Sequence, residues 1–426
     1  MKPQKTIIIG AGASGLMAAN ILAKANHEVV LLEKKHQCGL KLRITGKGRC
    51  NLTNSCGRSE YLSHISSPEF FEYAFDNFNN ADLMDFFTEK GVELKTERGG
   101  RVFPQSDKAN DIFFALLKEI EFAGNIQIIK NCDVKHLIKD NGKAIGVIAN
   151  NEKILADNII ICTGGKSYQT TGSTGDGYRI LKLLDHQIIT PIPALVGLRT
   201  ENGYPPSLQN LEIKNCQVNI TDKDKNIIAS HFGDITLDEY GVAGPVILSV
   251  SREIARAFDE GKEMFLNIDF KPKVSEERLR SEITATFKER RTENAVNIVR
   301  KWVQKPMAEE ILRVCKINPR TMGYKLTERD VKSILWYLKF RREEIIGDMG
   351  WREAIITQGG VSLKEIDKRT MESKKVKNLY VTGELLDLDA DTGGYNLQIA
   401  FSTAVLAAQS IITKDNKGIK NNYKEK

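Results

Sequence analysis

Ile7-Ile8-Ile9-Gly10-Ala11-Gly12-Ala13-Ser14-Gly15 decides how this chain folds. A short apolar run bounded by charge and glycine predicts a buried strand over 6–9. The G-x-G-x-x-G that follows opens a helix over 14–25. Gly10 permits the tight turn, Gly12 lets a pyrophosphate approach the backbone, and Gly15 lets helix and strand pack closely. The free N–H groups and positive dipole end of that helix suit a phosphate. With Ala13 and Ser14 in the first turn, the whole segment reads as a dinucleotide cradle.

A second apolar strand over 28–33 completes a βαβ unit and ends at Glu33, eighteen residues after Gly15. A carboxylate there can accept both hydroxyls of an adenosine ribose and repels a 2′-phosphate, so NADP is disfavoured at this site. Lys34 follows it. The motif alone does not separate FAD from NAD.

Further segments bear on that choice. Residues 39–51 carry Lys41, Thr45, Gly46, Gly48, Arg49, Cys50 and Asn51. They are basic, glycine-rich and unsuited to a regular helix or strand. Such a loop can wrap a pyrophosphate and ribityl chain, or it is a solvated basic loop. Thr163-Gly164-Gly165 ends a strand, where an open α/β sheet places its ligand. Gly172–Gly177 is a second glycine run, either a ligand turn or a plain helix cap. Gly383-Glu384 follows the apolar stretch 379–382. Gly393-Gly394-Tyr395-Asn396 then opens a final helix over 396–412. A carboxylate at Glu384 can bind ribityl hydroxyls. A helix N-terminus at 393–394 would stabilise negative charge on a reduced flavin ring. Val134 lies among strand-like segments near 126–138, 144–149 and 154–162.

These pieces, with Thr45–Asn54, Gly100-Arg101-Val102-Phe103-Pro104 and Thr357-Gln358-Gly359-Gly360-Val361, run across nearly the whole chain. They resemble the bacterial NAD(P)/FAD-dependent oxidoreductase family that includes aminoacetone oxidase and the bile-acid-pathway flavoprotein reductases. The resemblance implies an α/β, glutathione-reductase-like FAD-binding Rossmann domain interrupted by a β-barrel-like and helical insert. The composition changes at similar limits. Prolines and alternating stretches begin near 190, a glycine-poor helical region fills 275–340, and buried-strand pattern returns after 350. The expected division is a discontinuous FAD-binding domain of 1–190 and 351–412, an insert of 191–350 (β-rich over 191–274) and a flexible basic tail of 413–426.

The expected activity is transfer of a hydride through flavin N5, between a small-molecule or NAD(P)H donor and an organic acceptor or oxygen. Arg49, Cys50, Asn51 and Tyr395 are the candidates nearest the ring. Cys50 is read as a small residue packed against the cofactor. Its redox alternative rests on Arg49 and Lys47 lowering a thiol pKa, but Cys50 and Cys56 lack the spacing of a disulfide-reductase pair. No second G-x-G-x-x-G follows a strand, so NAD(P)H enters only as a transient donor. A flavin-dependent tRNA-modifying enzyme is the alternative, on Lys288, Arg290, Arg291, Arg300, Lys301, Arg341 and Arg342, which more simply make a solvated surface. A non-catalytic flavin sensor is the other.

The bulk figures fit. Of 426 residues 41% are hydrophobic and 27% charged, the ordinary range for a globular protein. The formal charge is +7, of which the last thirteen residues supply +3 (five Lys against one Asp and one Glu). That balance does not call for a nucleic-acid partner. No run approaches the ~20 apolar residues of a membrane span, and the expected setting is cytoplasmic with a small-molecule substrate. Seven cysteines without a C-x-x-C pair and six histidines without ligand spacing predict neither a disulfide framework nor a metal site.

Overall fold

In the computed structural model the backbone is described for residues 3–422 and side chains as far as 415. The chain divides into two compact units, one up to Pro193 and again from Ala354, the other Ala194–Glu353.

The first unit is built on five parallel strands in the order Leu379–Val381, Asn158–Ile161, Lys5–Ile9, Glu28–Leu32, Ile126–Ile129. Ile7 stands opposite Val30 on one side and Ile159 on the other, and Ile160 opposite Tyr380. The central residues are apolar and nearly fully buried because both faces of a parallel sheet are covered. The helix Ala13–Lys24 packs on one face beside the C-terminal helix. A Cβ at Gly15 would lie 1.9 Å from the Gly10 carbonyl oxygen, which is why the third glycine of the motif is needed.

Several boundaries differ from the sequence reading. The region 126–162 holds five strands rather than three. Ile126–Ile129 joins the parallel sheet, while Val134–Asp140, Lys143–Ala149 and Glu152–Leu155 form a separate antiparallel meander turned at Asn141-Gly142 and Asn150-Asn151. The helical stretch 69–90 is two helices, Pro68–Asn77 and Asn80–Glu89. Asn79 starts the second with a capping box closed by Asp82. The loop 39–51 is not wholly irregular, since Leu40–Ile44 makes one helical turn.

The last helix runs from Tyr395 to Asn422 instead of stopping at Ile412. Lys414 holds Glu372 at 3.0 Å and Asp415 approaches His27 at 3.3 Å, contacts that extend the helix past its apolar stretch. The rest of the expected tail falls outside the described side chains from 416 and outside the described backbone from 423. Tyr395–Asp415 does have the length and composition of a membrane span, contrary to the sequence reading. Its apolar residues Ile399, Phe401, Ala404, Val405, Ala408 and Ile411 are buried in the unit's core.

The second unit contains a closed antiparallel barrel of six strands: Leu198–Thr200, Gly241–Ala243, Ile227–Leu237, Glu212–Thr221, Met264–Asp269 and Arg341–Asp348. Val218, Ile220, Leu266 and Ile268 alternate inward, and closure leaves no free edge. The final barrel strand follows the helical segment, so β structure here is not confined to the first half. Two helices start as their caps predict. Ser275 accepts from Arg278 N, and Thr327 with Asp330 forms a capping box. Three of the seven basic residues singled out in the insert are engaged within the protein. Arg341 is half-buried against Glu343, Arg342 lies over the Phe265 ring, and Arg290 pairs with Glu293.

Candidate functional site

The candidate site lies at the carboxyl ends of the parallel strands of the first unit, where successive loops converge. The helix Ala13–Lys24 begins at Gly12, with no side-chain cap and no acidic residue in its first turn. A Cβ on Gly12 would meet nothing within 4 Å. A helix N-terminus open to that space can take a phosphate of a dinucleotide.

Glu33 lies one residue beyond the strand Glu28–Leu32 and is buried. One carboxylate oxygen accepts from Ala11 N at 3.0 Å, the other from Lys35 N at 2.8 Å. Burial raises its pKa, while these N–H groups and the flanking lysines act the other way. The carboxylate keeps lone pairs for ribose hydroxyls. Lys34 reaches Asp176 at 2.5 Å and Thr174 at 2.6 Å, tying this end to the glycine run 172–177. That run caps a helix, Asp176–Lys182, which starts at Gly175. Val134 is buried at the start of the meander, two residues after Cys132 N donates to the Glu33 carbonyl at 2.9 Å.

Glu384 joins four of the segments singled out in the sequence. Its Oε1 accepts from Thr357 N at 2.8 Å and Ser167 Oγ at 3.0 Å, and its Oε2 pairs with Lys41 Nζ at 2.6 Å. Lys41 also donates to Ser167 Oγ at 2.7 Å. Loop 39–51, the turn after Thr163-Gly164-Gly165, the Thr357 strand and the Gly383 turn are thereby held together. Thr382 Oγ1 lies 2.7 Å from Ser14 Oγ, and Gly383 N donates to Thr403 Oγ1 at 3.0 Å. Thr163 Oγ1 is buried against Gly177 and has no hydrogen-bond partner among the described residues.

Loop 45–51 turns back through left-handed residues Gly46, Lys47, Gly48 and Cys50, and Thr45 Oγ1 donates to the Leu42 carbonyl at 2.6 Å. With its amide oriented to satisfy both neighbours, Asn51 accepts from Gly394 N at 3.1 Å and donates to Thr53 O at 3.3 Å. Gly394 has φ +104°, and a Cβ there would come within 2.4 Å of the Thr53 carbonyl carbon and oxygen. Only glycine lets these two backbones touch. Asn396 accepts from Ala390 N at 3.0 Å and donates to Ala390 O at 2.8 Å and Asp391 O at 3.1 Å, fixing the loop before the helix.

Two of the ring-proximal candidates, Arg49 and Cys50, bear on the redox-cysteine alternative. The Arg49 guanidinium bonds Asp107 at 2.6 and 2.9 Å and also Glu97, and lies over the Phe103 ring. Its charge is therefore spent on carboxylates and does not activate a thiol. Cys50 is fully buried, and burial pushes its thiol up to about 12, against the small opposing effect of Thr45. It remains a thiol at neutral pH, which removes the basis of the redox alternative.

The sequence reading missed His64 and Asp391. His64 Nδ1 lies 2.8 Å from Asp391 Oδ2, and its ring stacks on Tyr395 with centroids 4.4 Å apart. Tyr395 meets Tyr61 edge-on, and its hydroxyl faces Cys56 Sγ at 3.9 Å. Burial raises the Tyr395 pKa, with Cys56 adding to the shift. His64 Nε2 makes no hydrogen bond among the described residues, and the side chain is about one-third exposed (32%). Asp391 stood next to the glycine pair, but its separation of 327 positions from His64 hid the pairing.

A Rossmann sheet with an uncapped, glycine-turned helix, a buried carboxylate after its second strand and a C-terminal glycine turn defines an FAD-dependent oxidoreductase. The family pattern described as "HI0933-like protein Rossmann domain" matches residues 4–410, and the chain belongs to that FAD-binding family. The 3-dehydro-bile acid delta(4,6)-reductase of Clostridium scindens is 29% identical over 405 residues, covering 95% of this chain and 98% of that protein. The ribosomal RNA dihydrouridine synthase of Escherichia coli K12 is 28% identical over 412 residues, 95% of this chain and 97% of that protein. Among solved structures, 3-ketosteroid delta1-dehydrogenase from Sterolibacterium denitrificans aligns with a TM-score of 0.51 at 13% identity, over 97% of this chain and all of that one. This last likeness is one of fold.

Proposed function

We propose that this oxidoreductase reduces a carbon–carbon double bond conjugated to a carbonyl group in an organic acceptor. The observation that carries the reading is the His64–Asp391 pair stacked on Tyr395 beside the Asn51–Gly394 contact. Saturating such a bond takes a hydride at one carbon and a proton at the other. FAD, when bound and reduced, supplies the hydride. Gly12 and the first turn of its helix would hold the pyrophosphate, Glu33 the adenosine ribose, the Lys41–Glu384 node the ribityl chain, and Asn51 with Gly394 the pyrimidine edge. The other glycine-turn and loop residues expected to bind the cofactor belong to the same proposal.

His64 supplies the proton. Asp391 accepts from Nδ1–H and orients the ring, which leaves Nε2 as the atom that carries the transferable proton. After transfer the neutral ring keeps its Nδ1–H bond to Asp391, and solvent restores the Nε2 proton. Tyr395 holds the ring face. Both relatives' names describe addition of hydrogen to a double bond of this kind, one in a bile acid and one in uridine, which supports the reading. We take the substrate to be a small molecule, the setting to be cytoplasmic, and NAD(P)H to be a transient donor without a domain of its own.

The test is anaerobic. Protein carrying reduced FAD is mixed with a 3-oxo-4,6-diene steroid acid or with a uridine-containing RNA, and return of flavin absorbance is followed. Reoxidation by an acceptor with the conjugated bond, slowed at least ~100-fold in His64→Gln, is expected. No reoxidation by either acceptor, or an unchanged rate in His64→Gln, overturns it.

A further inference from the structure

The second unit has a cavity of about 640 Å³ away from any residue discussed above for flavin. Its walls come from the start of the strand Glu212–Thr221, the turn after Met264–Asp269, and residues 300–307. Lys214, Lys271, Arg300 and Lys301 line it, against one acidic residue, Glu212. Trp302 and Phe270, both buried, supply apolar wall.

These cations are not neutralised by the protein. Among the described residues Lys214, Lys271 and Arg300 have no ion-pair partner. The nearest acid in sequence to Lys271, Asp269, is already engaged, because its Oδ2 takes Lys339 Nζ at 2.6 Å and its Oδ1 accepts the Lys271 backbone N–H at 2.7 Å. Burial lowers the Lys271 pKa, the mark of an ammonium group partly out of water without a counter-charge. Lys301 donates to Thr286 Oγ1 at 2.9 Å and lies over the Trp302 ring.

A helix adds to this. Lys305–Val314 begins at Gln304, with no side-chain cap and no acidic residue in its first turn. Gln304 and Met307 both line the cavity. The positive end of a ten-residue helix thus faces the space that three unpaired cations surround.

We propose that this cavity is a binding site for a phosphate ester, with Lys271 and Arg300 holding the phosphate oxygens and the Met307 N–H in the first turn of helix Lys305–Val314 donating to them, Pro306 before it having no N–H. Its volume lies within the roughly 300–1,000 Å³ of small-ligand sites, enough for a nucleotide-sized group. The ester is either a terminal phosphate on a small molecule or a phosphodiester in a strand of RNA. The site lies wholly within the second unit and stands whatever acceptor the flavin serves.

The experiment uses protein saturated with FAD, so that the dinucleotide cradle is closed to the probes. Uridine monophosphate and a ten-nucleotide single-stranded oligouridylate are titrated calorimetrically at low and at moderate salt. At least one probe is expected to bind, more weakly as salt rises. Lys271→Gln/Arg300→Gln is expected to weaken that binding tenfold or more with flavin content and melting temperature unchanged. Arg300→Gln alone, at an exposed position, gives the same direction if the double variant is poorly folded. Binding of the mononucleotide assigns a terminal phosphate, and binding of the oligonucleotide alone assigns a strand phosphodiester. No binding of either probe at low salt, or equal affinity in the variants, overturns the proposal.

Discussion

Replacing Glu33 separates its two duties. The buried carboxylate accepts two backbone N–H bonds, from Ala11 and Lys35, and on our reading two hydroxyls of the adenosine ribose. Hydrogen bonds to a charged group contribute ~1.5–3 kcal/mol each. Taking the lower figure for the two ribose bonds, Glu33→Ala costs about 3 kcal/mol of FAD binding, or about 150-fold in Kd. It also strips the acceptor from two N–H groups, costing about 1 kcal/mol each in the apoprotein. At ~2–4 °C per kcal/mol for a domain of this size, the apo melting temperature falls by roughly 4–8 °C. Glu33→Gln keeps one acceptor oxygen and the shape, so its loss is about half as large, or about tenfold in Kd. Flavin fluorescence quenching on titration into apoprotein gives Kd, and calorimetry of the apoprotein gives the melt. If Glu33→Ala melts lower yet binds FAD as the wild type does, Glu33 serves only the glycine turn and the ribose assignment is wrong.

Cys50→Ala is expected to keep full turnover, and iodoacetamide should leave Cys50 unlabelled at pH 8, because the thiol is buried and its pKa is pushed up to about 12. Labelling at Cys50 in mass spectra of the folded protein would contradict this. Asp415→Asn tests a half-buried carboxyl whose pKa is pushed up to about 6 by desolvation, with the charge of Asp157 adding to it. Between its unfolded pKa of ~3.9 and about 6, the folded chain holds a proton that the unfolded chain has released, so this group's contribution to stability falls as pH rises through that window. The asparagine variant should therefore gain on the wild type between pH 4 and pH 7 in thermal melts, and a difference constant with pH would refute the assignment.

Much of this was legible because the signals were local. The dinucleotide helix shows in three glycines and a carboxylate eighteen residues on, and Ser275 and Thr327 mark helix starts through a cap three residues long. What was not legible depended on distant pairing. Nothing near Ile126 says that it lies beside Val29 in a parallel sheet while Val134 turns away into a meander. Arg49 looked available to a cofactor because Asp107 and Glu97, which hold it, stand about fifty residues off in the chain. His64 was passed over because a histidine shows its chemistry only beside its partner, here Asp391. The final helix was cut short near its last apolar run, since a stretch of Lys and Asn carries no apolar periodicity even where it continues a helix.

The outermost strand of the parallel sheet, Leu379–Val381, is made after the entire second unit. As the chain leaves the ribosome, the barrel has all six of its strands once residue 348 has emerged, while the sheet begun at Lys5 still lacks an edge. Glu384 and Gly394, which we propose to close the cofactor cradle, come later still. The later-synthesised barrel therefore has what it needs to fold before the earlier-begun sheet is complete, and a nascent chain has no finished seat for FAD. On our reading of Glu384 and Gly394 as cofactor residues, truncation before residue 383 is expected to abolish FAD loading while leaving all six barrel strands in the chain.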